Sequence, residues 1–275
     1  MSTSNAASTP SRRPLIAVLV VVAIAGSIGI GMASCGDSGE EMEWPSRTVK
    51  EPTSEQLAQG SPVGGLVLYS GKTPKRPGIN MGADHYCKAS HQNPVATERI
   101  VVETVDGRLR LRDVFVHVTK GLEEFTFEWV KDELVIDQQG CVYVPHVAGV
   151  RLRQPVKFLN SDATSHNVNT AKASKQGFNK TTPTKGSSYH WQFRTEELDI
   201  LAKCDIHPWM QAWLHVVDHP YFAVTSPNGS WAFPKPLPPG TYTIEARHAD
   251  LGTQTREVTV EAGKPLPPLE FRFKK

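Results

Sequence analysis

A period-two alternation that runs into a short loop and resumes on its far side constrains this chain most. In Leu198-Asp199-Ile200-Leu201-Ala202-Lys203-Cys204, the residues Leu198, Ile200, Ala202 and Cys204 fall on one face of an extended strand. Asp199 and Lys203 occupy the other face, and only Leu201 blurs the pattern. The same parity returns at Met210, Ala212, Leu214 and Val216. Two strands with one inward face in common predict a hairpin whose connection is the loop from Cys204 to Met210, with Cys204 pointing inward at the strand end. Upstream, Gln154–Asn160 reads as another strand, with Val156 and Phe158 on one face. It ends in the polar turn Asn160-Ser161-Asp162, which delivers His166.

The loop reads Cys204-Asp205-Ile206-His207-Pro208-Trp209-Met210. With His166 it supplies a thiolate, two imidazoles and a thioether. That is the donor set of a blue-copper electron-transfer site, two His and one Cys in a plane with a weak axial Met. Soft sulfur favours Cu(I) and imidazole also holds Cu(II), so the mixed set serves both states. Taken singly these residues are ordinary: a buried Cys is a small hydrophobe, and Met210 alone is a core residue. Their spacing after a period-two strand is what points to a metal.

At these residues the chain resembles the cupredoxins, and amicyanin among them, through the pattern Cys-x-x-His-Pro-aromatic-Met over roughly residues 150–217. The resemblance implies His166, Cys204 and His207 as equatorial ligands of one type 1 copper, with Met210 axial. It implies that Asn167 ties the two ligand loops together from behind the metal. It further implies that the His207 ring edge reaches the surface amid Pro208 and Trp209, an apolar patch for docking a redox protein partner. A single Cys in the loop disfavours a binuclear copper centre.

The rest of the chain reads as β. Val63–Gly71 is a strand closed by a Gly turn, and Ile100–Val105 followed by Asp106-Gly107 is a strand and a turn. A shift of parity near Asp113 predicts a bulge or bend, and Leu134–Gly140 continues the pattern. No long helical periodicity lies beyond the amino terminus. The fold class is all-β: a Greek-key, cupredoxin-like β-sandwich plus a small prealbumin-like or Ig-like module. From Pro220 the turn Asn228-Gly229, an aromatic strand, Pro238-Pro239-Gly240 and Tyr242-Thr243-Ile244 resemble a carboxypeptidase regulatory-like module. Its first strand is not obvious from sequence; Val63–Ser70 or Leu214–Val217 could supply it. The expected division is 1–35 signal or anchor, 36–61 flexible linker, 62–218 cupredoxin-like domain and 219–275 carboxy-terminal module.

Arg12 and Arg13 precede an apolar run from Leu15 to Ala33 that ends in Ser34-Cys35. This reads as a signal sequence resembling a bacterial lipobox, with Cys35 lipidated, or as an uncleaved membrane anchor. Either places the protein outside the cytoplasm, in a bacterial periplasm or at the cell surface, and tethers it to the membrane. The chain has 30 Lys+Arg against 28 Asp+Glu, and two of the basic residues precede Cys35. The remainder is therefore balanced at 28 of each sign, and no nucleic-acid footprint is expected. In an oxidising compartment Cys87 and Cys141 form a disulfide, or with His91 and His146 they make a tetrahedral metal site. The functional expectation is a mononuclear copper electron carrier without enzymatic activity, since additional His clusters for further copper sites are not evident. A copper carrier or storage protein and a metal-free β scaffold are the alternatives.

Overall fold

The computed structural model describes residues 42–275, and the expected signal or anchor with Cys35 lies outside them. Among the described residues no helix is long and apolar enough to cross a membrane. The helices are two single turns of five residues, α1 (Ser54–Ala58) and α2 (His85–Ala89). The strands are β1 (Gly64–Ser70), β2 (Val102–Val105), β3 (Arg108–Leu111), β4 (Phe115–Lys120), β5 (Leu134–Gln139), β6 (Val142–Val144), β7 (Val147–Arg151), β8 (Pro155–Asn160) and β9 (His166–Asn169). They continue as β10 (Asn179–Thr182), β11 (Ser188–Gln192), β12 (Glu197–Lys203), β13 (Gln211–Val217), β14 (Phe222–Val224), β15 (Ser230–Ala232), β16 (Gly240–His248), β17 (Gly252–Val260) and β18 (Leu269–Lys274). The all-β expectation is met.

Four sheets pair into two sandwiches. In the first, β15-β1-β3-β2, with β18 parallel to β1, faces β14-β4-β16-β17. Its core interleaves Val67, Leu111 and Phe271 with Val116, Ile244 and Val258. In the second, β10-β9-β12-β13-β7 faces β11-β8-β5-β6, and Ile136, Val156 and Phe158 meet Val168, Ile200 and Leu214. A small third cluster of Phe115, Val147 and Val217 lies where β4 and β14 meet β7.

This pairing does not follow a division at residue 218. β1, one of the two candidates for the module's first strand, pairs with β15 and β18, and β4, expected with the ligand hairpin, pairs with β14 and β16. The reason is edge pairing: β18 and β16 each carry a row of backbone donors and acceptors that the segment 219–275 alone leaves unmet. The bend near Asp113, at a φ of 61°, sends the chain from one sheet of this sandwich to the other. The linker expectation is also corrected for residues 42–61. Arg47 forms a two-pronged ion pair with Asp218, Lys50 bridges to Thr126, and Thr53 caps α1 with a reciprocal Gln56 bond.

The ligand hairpin forms in the expected register, with Ala202 opposite Ala212 and Lys203 opposite Gln211. An irregularity between Glu197 and Ile200 accompanies a positive φ of 57° at Asp199. Residues 72–101 leave the first sandwich between β1 and β2 and place Met81 and Cys87 in the core of the second. That excursion carries α2 onto the loop ends where the candidate ligands lie.

Candidate metal centre

β12 ends at Lys203, so Cys204 enters the loop with its sulfur buried, and β9 opens on His166. The loop is tight: the Met210 N–H donates to the His207 carbonyl and the Cys204 N–H to the Met210 carbonyl, at 2.9 and 3.2 Å. These bonds bring His166, Cys204 and His207 together, with one donor atom of each within 4.8 Å of the others. His166 Nδ1 and His207 Nδ1 face one another at 2.9 Å, and Cys204 Sγ is 3.9 Å from His207 Nδ1. Met210 is wholly buried in the same core.

The remote nitrogens both meet carboxylates. His166 Nε2 lies 3.0 Å from Asp162 Oδ2, and His207 Nε2 lies 3.2 Å from Asp84 Oδ2. An ionised carboxylate only accepts, so each imidazole carries a proton on Nε2 and turns its Nδ1 toward the other, and in the metal-free site the two Nδ1 atoms share one further proton at 2.9 Å. Burial pushes the Cys204 thiol up, but His166 and the backbone N–H groups of Asn167, His207 and Ile206 outweigh it and leave the thiol below its ordinary value. Burial would lower His166, yet Asp162 and the Cys204 thiolate bring it up to about 9. Burial lowers His207 despite Asp84. A lowered thiol and two inward Nδ1 atoms in a buried site suit a cation, and the single proton held between the histidines takes its place in the metal-free protein.

Asn167 spans the two loops. Its Oδ1 accepts from the Asp205 N–H at 2.7 Å, and its Nδ2 donates to Asp205 Oδ2 at 2.9 Å and Asn179 Oδ1 at 2.8 Å. Asn169 also donates to Asp205 Oδ2, at 2.7 Å. These bonds hold the Asp205 carboxyl at about 2.

The expected surface changes at His207. His207 does not present its edge to solvent: it is 3% exposed, covered by Asp84 and by Cys87, whose sulfur lies 3.6 Å from Nε2. Trp209, half-buried, turns its indole N–H inward to the Cys141 carbonyl at 3.0 Å, which braces the ring against the disulfide turn. Pro208 is exposed, and the apolar side chain at the loop surface is Ile206, 50% exposed. Cys87 and Cys141 form the expected disulfide, which removes the tetrahedral Cys2His2 alternative. His91 and His146 instead meet the backbone carbonyls of Gly140 and Gln211.

Sequence reasoning did not assign Asp84 or Asp162. Asp162 had a signal, standing four residues before His166 in the same turn. Asp84 had none, because 123 residues separate it from His207.

No protein-family model matches the chain, and no curated protein does. Solved structures similar to it include an oxidised amicyanin mutant, 19% identical over 34% of this chain and 89% of that one, with a TM-score of 0.29. A Cu(I) amicyanin mutant is 18% identical over 37% and 98%, also at 0.29. The copper-containing nitrite reductase of Thermus scotoductus is 14% identical over 56% of this chain and 28% of the reductase, at 0.30. The expectation of no enzymatic activity is corrected on this last finding: an enzyme stands among the similar structures, so the absence of activity does not follow. The reading of the site rests on its own geometry.

Proposed function

We propose that the chain binds one copper ion of type 1 and passes single electrons between redox partners. The supporting observation is the convergence of two Nδ1 atoms and a lowered thiol in a buried pocket, with each Nε2 already committed to a carboxylate. His166, Cys204 and His207 would hold the ion, and Met210, in the same loop, would offer it a weak thioether donor. Bound copper supplies a one-electron couple whose two states share nearly one geometry. The chain's own residues keep that geometry fixed. Asn167 holds the two loops in register, and the wholly buried Ile200, Ala202, Ala212 and Leu214 anchor the hairpin beneath them.

With His207 covered, a redox protein partner would dock over the Ile206–Pro208 rim or over the α2 cover, not on a bare imidazole edge. The residues before Cys35 would export the protein and tether it to a bacterial membrane, by lipid at Cys35 or as an uncleaved anchor.

The test is the visible absorption and electron paramagnetic resonance spectrum of the full chain with one equivalent of Cu(II). An intense thiolate-to-copper band with narrow copper hyperfine splitting, lost in Cys204→Ser, is the expected result. A protein that stays colourless and retains no copper refutes the reading.

A further inference from the structure

The two carboxylates behind the imidazoles belong to one covalently braced frame. Gly140 and Cys141 join β5 to β6 as a two-residue turn, both at positive φ, 63° and 56°. A turn of that hand points successive N–H groups to one side. Asp162 receives them, Gly140 N–H on Oδ1 and Cys141 N–H on Oδ2, each at 2.7 Å. On the other side, Asp84 caps α2 by accepting the Cys87 N–H on Oδ1 at 2.9 Å. Its Oδ2 accepts from Thr164 Oγ1 at 3.0 Å and meets His207.

Each half of the Cys87–Cys141 disulfide therefore donates its own N–H to a carboxylate that meets a candidate ligand. One path runs Cys141, Asp162, His166 and the other Cys87, Asp84, His207. Tyr86 closes the frame by donating from α2 to Asp162 Oδ1 at 3.3 Å. Asp162 is 1% exposed with both oxygens occupied, so it cannot swing away.

We infer that Asp84 and Asp162 are positioning residues that hold the Nδ1 atoms of His207 and His166 toward the copper and bias it to Cu(II). This rests on the copper reading above. A carboxylate on the remote nitrogen fixes the tautomer and raises the basicity of the ligand. A neutral carbonyl there would fix the tautomer without adding charge. A negative charge in a buried site also favours the more highly charged ion.

The deciding experiment compares the full chain with Asp84→Asn, whose single side-chain oxygen keeps either the α2 cap or the bond to His207, so the negative charge is removed together with one acceptor. Reduction potential, Cu(II) and Cu(I) affinities by chelator competition, and the thiolate-to-copper band are measured together. Cu(II) affinity is expected to fall about tenfold with Cu(I) affinity unchanged, a rise of about 59 mV for a one-electron couple. The band is retained. Asp162→Asn shifts the potential in the same direction, and Asp84→Asn decides alone if Asp162→Asn does not fold. A banded wild type whose Asp84→Asn variant keeps the wild-type potential overturns this inference and leaves the copper reading standing. A wild type without the band overturns both.

Discussion

Replacing Asn167 by alanine removes the tie between the β9 end and the Cys204 loop. Three hydrogen bonds go with it: from the Asp205 N–H, to the Asp205 carboxylate and to Asn179. A neutral bond such as the first contributes about 1 kcal/mol net. The bond to the carboxylate would be worth more if buried, but Asp205 is exposed and retains its bond from Asn169, so about 1 kcal/mol is assigned to it as well. The rim contact with Asn179 adds about 0.5 kcal/mol. The expected loss is thus about 2.5 kcal/mol, which for a folded unit of this size lowers Tm by about 5–10 °C. Urea unfolding of the metal-free protein, followed by tryptophan fluorescence, reads the loss without reference to copper. The slope against urea should be unchanged, since the exposed area is the same. A loss below about 1 kcal/mol would show that water replaces all three bonds and that the loops hold their register without Asn167.

Further outcomes can be checked independently. Burial, with the nearby charges of His117 and Arg247, holds His215 down at about 3. A buried histidine kept neutral contributes stability fully present above its unfolded pKa of about 6.5 and lost as pH falls toward 3, at up to about 1.4 kcal/mol per pH unit. Urea midpoints between pH 7 and 4 should therefore fall, and the fall should flatten in His215→Asn. Removing the disulfide as Cys87→Ala with Cys141→Ala opens a loop of 54 residues, a loss of about 4 kcal/mol by chain entropy that calorimetry should detect. In Gly65→Ala the new Cβ would lie 1.8 Å from the Leu269 carbonyl oxygen between β1 and β18. That clash should cost about 3 kcal/mol, and amide exchange in β18 should accelerate well beyond that in β12.

The strand parity of 198–216 determined the ligand hairpin, its inward face and the burial of Cys204 and Met210, because period two is a local property of an extended chain. The turns at Asp106-Gly107 and Asn228-Gly229 were legible for the same reason, since each is written in the residues that make it. The four members of the donor set, Cys204, His207 and Met210 in one loop and His166 in another, could be read as a metal-seeking pattern from their chemistry and spacing.

What the tertiary structure decided were relations between distant segments. Sequence left open whether Val63–Ser70 joins the ligand hairpin's domain or the carboxy-terminal module; its partner is β18, some two hundred residues away, and nothing local in Gly64–Ser70 decides that pairing. Sequence exposed the His207 edge, but the excursion at 72–101 brings Asp84 and Cys87 over it. Cover, tautomer and charge at an imidazole depend on which side chains arrive from elsewhere. A hydrogen bond across 123 residues leaves no periodicity in the chain, and only the folded arrangement of β5, β6 and α2 could assign Asp84 its place.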